Sequence, residues 1–215
     1  MARHLALAAL VALFSLSCSG SLPGNPDAVA VNISPEHVRV TLANTVQFTA
    51  TVTGTMDRAV DWTTLGAQCS GRACGMIDAN GLYTAPDTLP DADAVTVRAR
   101  SRADPNAAGE ASVAVASFVS VEVNPASRLI LSGGTQRFNA VVNGSPNTGV
   151  WWTIDGDDCD DARCGTIDEQ GFYRAPEHVT APKRLKIVAV PLADPNRPGL
   201  GNVSLMSSTV IGGRD

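Results

Sequence analysis

Residues 75–86 read GMIDANGLYTAP, and ninety positions later residues 165–176 read GTIDEQGFYRAP. Gly75, Ile77, Asp78, Gly81, Tyr83, Ala85 and Pro86 return as Gly165, Ile167, Asp168, Gly171, Tyr173, Ala175 and Pro176. Moving outward, the same step of ninety sets Cys74 on Cys164, Cys69 on Cys159, Trp62 on Trp152, Gly54 on Gly144, Phe48 on Phe138 and Pro35 on Pro125. On the other side, Asp104-Pro105-Asn106 falls on Asp194-Pro195-Asn196. No gap is needed between 29–116 and 119–206, and 28 of those 88 pairs are identical, far above the handful expected by chance. The chain is a duplication. A unit of about 90 residues is long enough to bury its own core and too long for a solenoid repeat.

Within one unit the apolar residues alternate with period two, the mark of half-buried strands. Val29, Val31 and Ile33 alternate with Ala30 and Asn32 before Pro35 breaks the run. Val38, Val40 and Leu42 follow, then Val46, Phe48, Ala50 and Val52 on one face, then Val60 and Trp62. The turn Asp78-Ala79-Asn80-Gly81 separates Ile77 from Tyr83, with Asn-Gly suited to positive φ. Val95, Val97 and Ala99 form a further strand, and Val113 and Val115 the last. About seven short strands with turns every 8 to 12 residues predict an all-β chain of two tandem immunoglobulin-like β-sandwich domains. Trp62 and Trp152 are expected between the two sheets, beside Phe48 and Phe138. No 3.6-residue periodicity occurs after residue 20.

The amino terminus has a different composition. Arg3 and His4 precede a run of 12 apolar and small residues from Leu5 to Leu16, followed by Ser17, Cys18, Ser19 and Gly20. That run is too short to span a bilayer and has the form of a signal-peptide core. Residues 1–18 are therefore expected to be a signal peptide, 19–27 a Gly/Pro/Ser tether, 28–117 the first domain and 118–210 the second. Phe14-Ser15-Leu16-Ser17-Cys18 resembles a bacterial lipobox, with Cys18 as the lipidation site, but Ser15 stands where Leu is preferred. Ordinary cleavage that discards Cys18 is the other outcome. The remaining four cysteines form two C-x4-C pairs, Cys69 with Cys74 and Cys159 with Cys164. Each is read as a disulfide staple on the loop after the Trp strand, worth about 2 kcal/mol for a six-residue loop. The expected compartment is oxidising. The chain would be an exported, membrane-anchored lipoprotein at the outer membrane or cell surface, or otherwise secreted or periplasmic. The junction Ala114–Val123 contains no flexible spacer, so the two domains should form a stiff rod.

Each unit resembles the bacterial immunoglobulin-like repeat domains of the group-2 type, related to invasin and intimin repeats. The resemblance rests on Val31 to Pro35, Thr45 to Gly54, Val60 to Thr63 and Gly75 to Pro86. The second copy repeats it at Val121 to Pro125, Thr135 to Gly144, Val150 to Thr153 and Gly165 to Pro176. It implies a sandwich fold and a role as spacer, adhesion unit or accessory domain, with no catalytic residues to carry over. The paired cysteines are an addition to the pattern.

Composition narrows the function further. Net charge is −5 with 16 Lys and Arg, only Lys183 and Lys186 being lysine, and no basic stripe. Nucleic-acid binding, which needs clustered cations, is excluded, and the modest acidity favours a soluble monomer. Of the three histidines, His4 lies in the signal segment, and neither His37 nor His178 has a histidine counterpart in the other copy. No Ser-His-Asp order, H-E-x-x-H or phosphate loop is present, so no enzyme is expected. The loop Asp155, Asp157, Asp158, Asp160, Asp161 offers carboxylates for calcium, as a weak metal candidate without the bidentate Glu of a calcium loop. Trp151 replaces Asp61 and points outward, a candidate ligand contact. Two readings follow. One is a non-enzymatic cell-envelope or surface protein acting as a structural, adhesion or protein-interaction module, anchored by lipid and touching an envelope protein or polysaccharide. The alternative is a carbohydrate-binding accessory protein using Trp151 and the acidic loop.

Overall fold

The structure, a computed structural model, describes residues 28–91 and 94–208. The first copy contributes β1 (Ala30–Ser34), β2 (His37–Thr41), β3 (Thr45–Gln47), β4 (Thr49–Thr53), β5 (Val60–Leu65), β6 (Met76–Ile77), β7 (Leu82–Thr84), β8 (Val95–Ser101) and β9 (Ala108–Ala116). The second contributes β10 (Ser120–Asn124), β11 (Ser127–Leu131), β12 (Thr135–Arg137), β13 (Asn139–Asn143), β14 (Val150–Asp155), β15 (Thr166–Ile167), β16 (Phe172–Arg174), β17 (Lys183–Pro191) and β18 (Gly199–Met206). Among the described residues the helical segments are a 3₁₀ turn, Gly71–Cys74, and α1, Asp161–Cys164, at the same place in the two copies.

In each copy one layer is a four-stranded sheet, in the order β2-β9-β8-β5 or β11-β18-β17-β14. The other layer holds β1-β4 with β3-β7-β6, or β10-β13 with β12-β16-β15. The first strand of each unit divides between layers. β1 pairs antiparallel with β4, the chain crosses at the cis bond Ser34–Pro35, and β2 pairs parallel with β9. Proline supplies no amide hydrogen, so a sheet-to-sheet crossing loses no ladder bond there. The second copy repeats this at Asn124–Pro125, with β11 parallel to β18. Two facing sheets joined this way are tandem immunoglobulin-like sandwiches.

The cores correct the expectation for the tryptophans. The largest fully buried side chains are Tyr83, Tyr173, Phe48 and Phe138. Trp62 and Trp152 are only partly buried and pack on the margins of the two cores. Alternation predicts which face a residue takes; it does not predict depth. Tyr83 lies edge-on to Phe48, with ring centroids 6.4 Å apart, and Val95, Val97 and Ala99 line the facing sheet. Each indole lies close against a glycine that has no room for a Cβ. At Gly81, with φ +81°, an added Cβ would fall 2.5 Å from the Phe48 carbonyl oxygen and 3.0 Å from the Trp62 ring. Gly171 occupies the same place over Trp152.

The two disulfides form, Cys69–Cys74 and Cys159–Cys164, with Cα atoms 5.3 and 5.2 Å apart. Each staple is tied to its core by the tyrosine. The Tyr83 hydroxyl donates to the Cys74 carbonyl at 2.8 Å, and Tyr173 donates to that of Cys164 at 2.7 Å. Burial pushes both phenols up to about 12. Gly66 leaves room for the bridge, since a Cβ there would lie 2.2 Å from the Cys69 sulfur.

A third apolar cluster joins the two sandwiches. Leu42 of the first packs with Val119, Val142 and Ala193, supported by Leu89 and Val115. Two hydrogen bonds flank it: the Leu89 amide donates to the Ala193 carbonyl at 2.7 Å, and the Ser145 hydroxyl to the Asp87 carbonyl at 3.0 Å. The residue equivalent to Leu42 in the second domain is Ser132, whose hydroxyl instead meets Ser208 at 2.8 Å. The leucine is buried at the junction, and its serine counterpart takes a polar partner instead.

Candidate functional site

The two units keep the same aromatic pair at their centres, Phe48 and Tyr83 or Phe138 and Tyr173, and differ in chemistry on the outer face of the four-stranded sheet. In the first domain this face is charged. Asp61 on β5 accepts a hydrogen bond from Arg102 at 2.9 Å, which together with the carboxylate charge raises the guanidinium above its ordinary value. Arg98 on β8 donates through Nε to Glu110 on β9 at 2.7 Å, and Arg100 stands beside them. Exposed pairs of this kind contribute little to stability and chiefly keep the sheet wet.

In the second domain all five positions are apolar. Trp151 stands for Asp61, Val188 for Arg98, Val190 for Arg100, Leu192 for Arg102 and Leu200 for Glu110. Register brings most of them together: Trp151 is the cross-strand partner of Val190, and Val188 is the partner of Leu200 on the next strand. Val188 and Val190 are only 9% and 6% exposed although they belong to the outer face, whereas Trp151 remains 50% exposed and Leu192 and Leu200 about as much. Each buried valine thus has a half-exposed apolar residue as its cross-strand partner, Trp151 for Val190 and Leu200 for Val188. Aromatic and branched apolar pairs across strands stabilise such a face locally.

Below this patch the face turns polar. Asp155 pairs across the strands with Lys186 and forms an ion pair at 3.3 Å, and Asn202 is the next partner in the same row. A groove of about 530 Å³ opens here, lined by Asp155, Asp157, Arg184, Lys186, Asn202 and Ser127 among others.

The exposed Trp151 therefore stands as the sequence indicated, but with four apolar neighbours that were not singled out. The signal was present in the repeat alignment, where charged residues of one copy meet apolar residues of the other at alternating positions. Two carboxylates of the acidic segment are engaged by neighbouring cations. Asp155 faces Lys186, while Asp160 accepts from the Arg163 amide at 2.8 Å and from its guanidinium Nε at 2.7 Å, capping α1 and raising the pKa of Arg163. Asp157 and Asp158 are exposed. Among the described residues no group of three or more His, Cys, Asp or Glu is placed to hold a metal ion. Cys18, the signal segment and the tether lie outside the described residues. Among the described residues no helix is long and apolar enough to cross a membrane.

No protein-family model and no curated protein matches the chain. Solved structures with a similar course include Sidekick-1 immunoglobulin domains 1–4, at 12% identity and TM-score 0.37, covering 87% of this chain and 51% of that one. The N-terminal four Ig domains of Dscam1 isoform 8.4 give 11% and 0.35, covering 84% and 47%. The tandem Ig repeats of Dlar give 14% and 0.27, covering 84% and 99%. The chain spans about half the length of the first two. Likenesses of this size leave the architecture resting on the strand order and register described above.

Proposed function

We propose that the chain is an exported, non-enzymatic cell-envelope or surface protein whose two immunoglobulin-like domains act as a structural, adhesion or protein-interaction module. The observation that carries this reading is the replacement of five charged residues on one sheet face by five apolar ones, between two copies that keep the same buried Phe–Tyr pair. Selection for stability alone does not require a half-exposed tryptophan and two half-exposed leucines on a solvated sheet; contact surfaces do use such groups. The apolar junction, with Leu42 at its centre, suits a spacer that holds the second domain away from its point of attachment. Two disulfides support an oxidising compartment. Attachment would come from a lipid at Cys18, with residues 19–27 as a tether of about 30 Å reach. The likeness to group-2 bacterial immunoglobulin-like repeats belongs to the same reading.

The test is binding of the labelled chain to whole cells and isolated envelopes, compared with a Trp151→Asp/Leu200→Glu chain. Loss of binding in the double variant is the expected result; equal binding by both overturns the proposal. For the anchor, detergent-phase partitioning is lost in Cys18→Ala if the lipid is present, and an aqueous wild type contradicts it.

A second reading, a carbohydrate-binding accessory protein, is favoured by one observation: Trp151 stands on the same strand face as the polar groove at Asp155 and Lys186. A glycan array with and without calcium tests it, with binding lost in Trp151→Ala as the supporting outcome.

A further inference from the structure

We infer that the outer sheet face of the second domain pairs with the same face of a second copy of the chain; the inference deepens the interaction-module reading and rests on it. The patch around Trp151 is one corner of a larger pattern. At the diagonally opposite corner, Leu129, Leu131 and Met206 are exposed, and the equivalent residues in the first domain are Arg39, Thr41 and Ala116. Leu131 and Met206 are cross-strand partners. Two apolar corners thus flank a central row, Asp155–Lys186–Asn202–Ser127, that carries both signs of charge.

Such a face is complementary to itself. A two-fold axis lying in the plane of the contact, across the line between the two corners, sets the Trp151 corner of one copy on the Leu129–Leu131–Met206 corner of the other, with the mixed-charge rows between them. This is the arrangement that an isologous contact requires. The size also fits. By register the five outward rows hold two, three, four, three and two strands, so at about 4.8 Å between strands and about 6.7 Å between rows the face projects roughly 450 Å². Side-chain relief raises the accessible area above this, into the range of a weak, concentration-dependent contact, which buries less than about 600 Å² per partner. The first domain's face cannot serve as the partner, because Arg98, Arg100 and Glu110 would be desolvated against leucine and valine. A saccharide would use Trp151 and the groove but would leave the Leu129–Leu131–Met206 corner unoccupied. The modest net charge, which favours a monomer, acts over the whole molecule, whereas this face is locally balanced.

The experiment is sedimentation velocity on the full chain in a Cys18→Ala background, from about 1 μM to about 1 mM. The chain should pass from monomer to dimer across that range. Trp151→Asp/Leu200→Glu installs the residues that the first domain already carries at those positions, so the fold has a precedent for them. It should raise the dissociation constant at least about 100-fold. Lys186→Asp alone should weaken the dimer about tenfold, and Asp155→Lys added to it should restore pairing. Circular dichroism checks that each variant is folded. A monomer at every concentration overturns the self-pairing, as does a dimer indifferent to these substitutions, or a monomer that binds a glycan through Trp151. The interaction-module reading survives those results. It falls only if binding to cells and envelopes is also unchanged by the double variant.

Discussion

The two domains place the same residues at their centres and opposite chemistry on one face. Phe48 and Tyr83 correspond to Phe138 and Tyr173, each tyrosine hydrogen-bonded to a disulfide cysteine's carbonyl. Outside, Asp61, Arg98, Arg100, Arg102 and Glu110 correspond to Trp151, Val188, Val190, Leu192 and Leu200. The difference separates two kinds of constraint. A close-packed interior tolerates little change in volume, so both copies keep their aromatic pair. A solvated sheet face is nearly free in stability terms, so its composition can follow use.

The comparison breaks most visibly in the core. Phe48→Ala and Phe138→Ala should each cost about 3–5 kcal/mol in denaturant unfolding, with similar values for the two domains. A large loss in one and almost none in the other would mean that only one interior is close-packed. Replacing Cys69 and Cys74 together by alanine should cost about 2 kcal/mol, and the same change at Cys159 and Cys164 should cost as much. Tyr83→Phe and Tyr173→Phe remove only a hydroxyl, yet each leaves a buried carbonyl without its donor, for about 1–3 kcal/mol.

The pH dependence sharpens the same equivalence. Both phenols are raised from 10 to about 12 by burial, so the folded state holds their protons more tightly than the unfolded chain. Their contribution is complete below pH 10 and is lost as pH rises through 12. Unfolding midpoints measured across that window should fall in the wild type and fall less in Tyr83→Phe/Tyr173→Phe. The smallest effect belongs to the first domain's surface: Arg98→Ala should change stability by no more than about 0.5 kcal/mol, checked in the same denaturant titration.

Much of this was legible in the sequence, for identifiable reasons. Period-two alternation sets the face of each strand, so Val31, Phe48, Val52 and Val97 were placed inward without any structure. The ninety-residue step showed the duplication, and C-x4-C spacing indicated local staples. What was hidden depends on partners far apart in the chain. Nothing local in His37–Thr41 says that it runs parallel to Ala108–Ala116. Tyr83 looked like the flank of a turn, and its central position follows from the facing sheet and from the Cys74 carbonyl nine residues away. Trp62 alternates correctly but sits at the core margin, since depth depends on what lies above it. The apolar face required strand register as well as alternation, because only register joins Trp151 to Val190 and Val188 to Leu200.

The central claim is that each copy maintains its own interior while the junction merely holds the two together. Amide hydrogen exchange on a Phe138→Ala chain tests it most directly. Protection should be lost across residues 120–206 and retained across 30–116. Loss of protection in both halves together would contradict it.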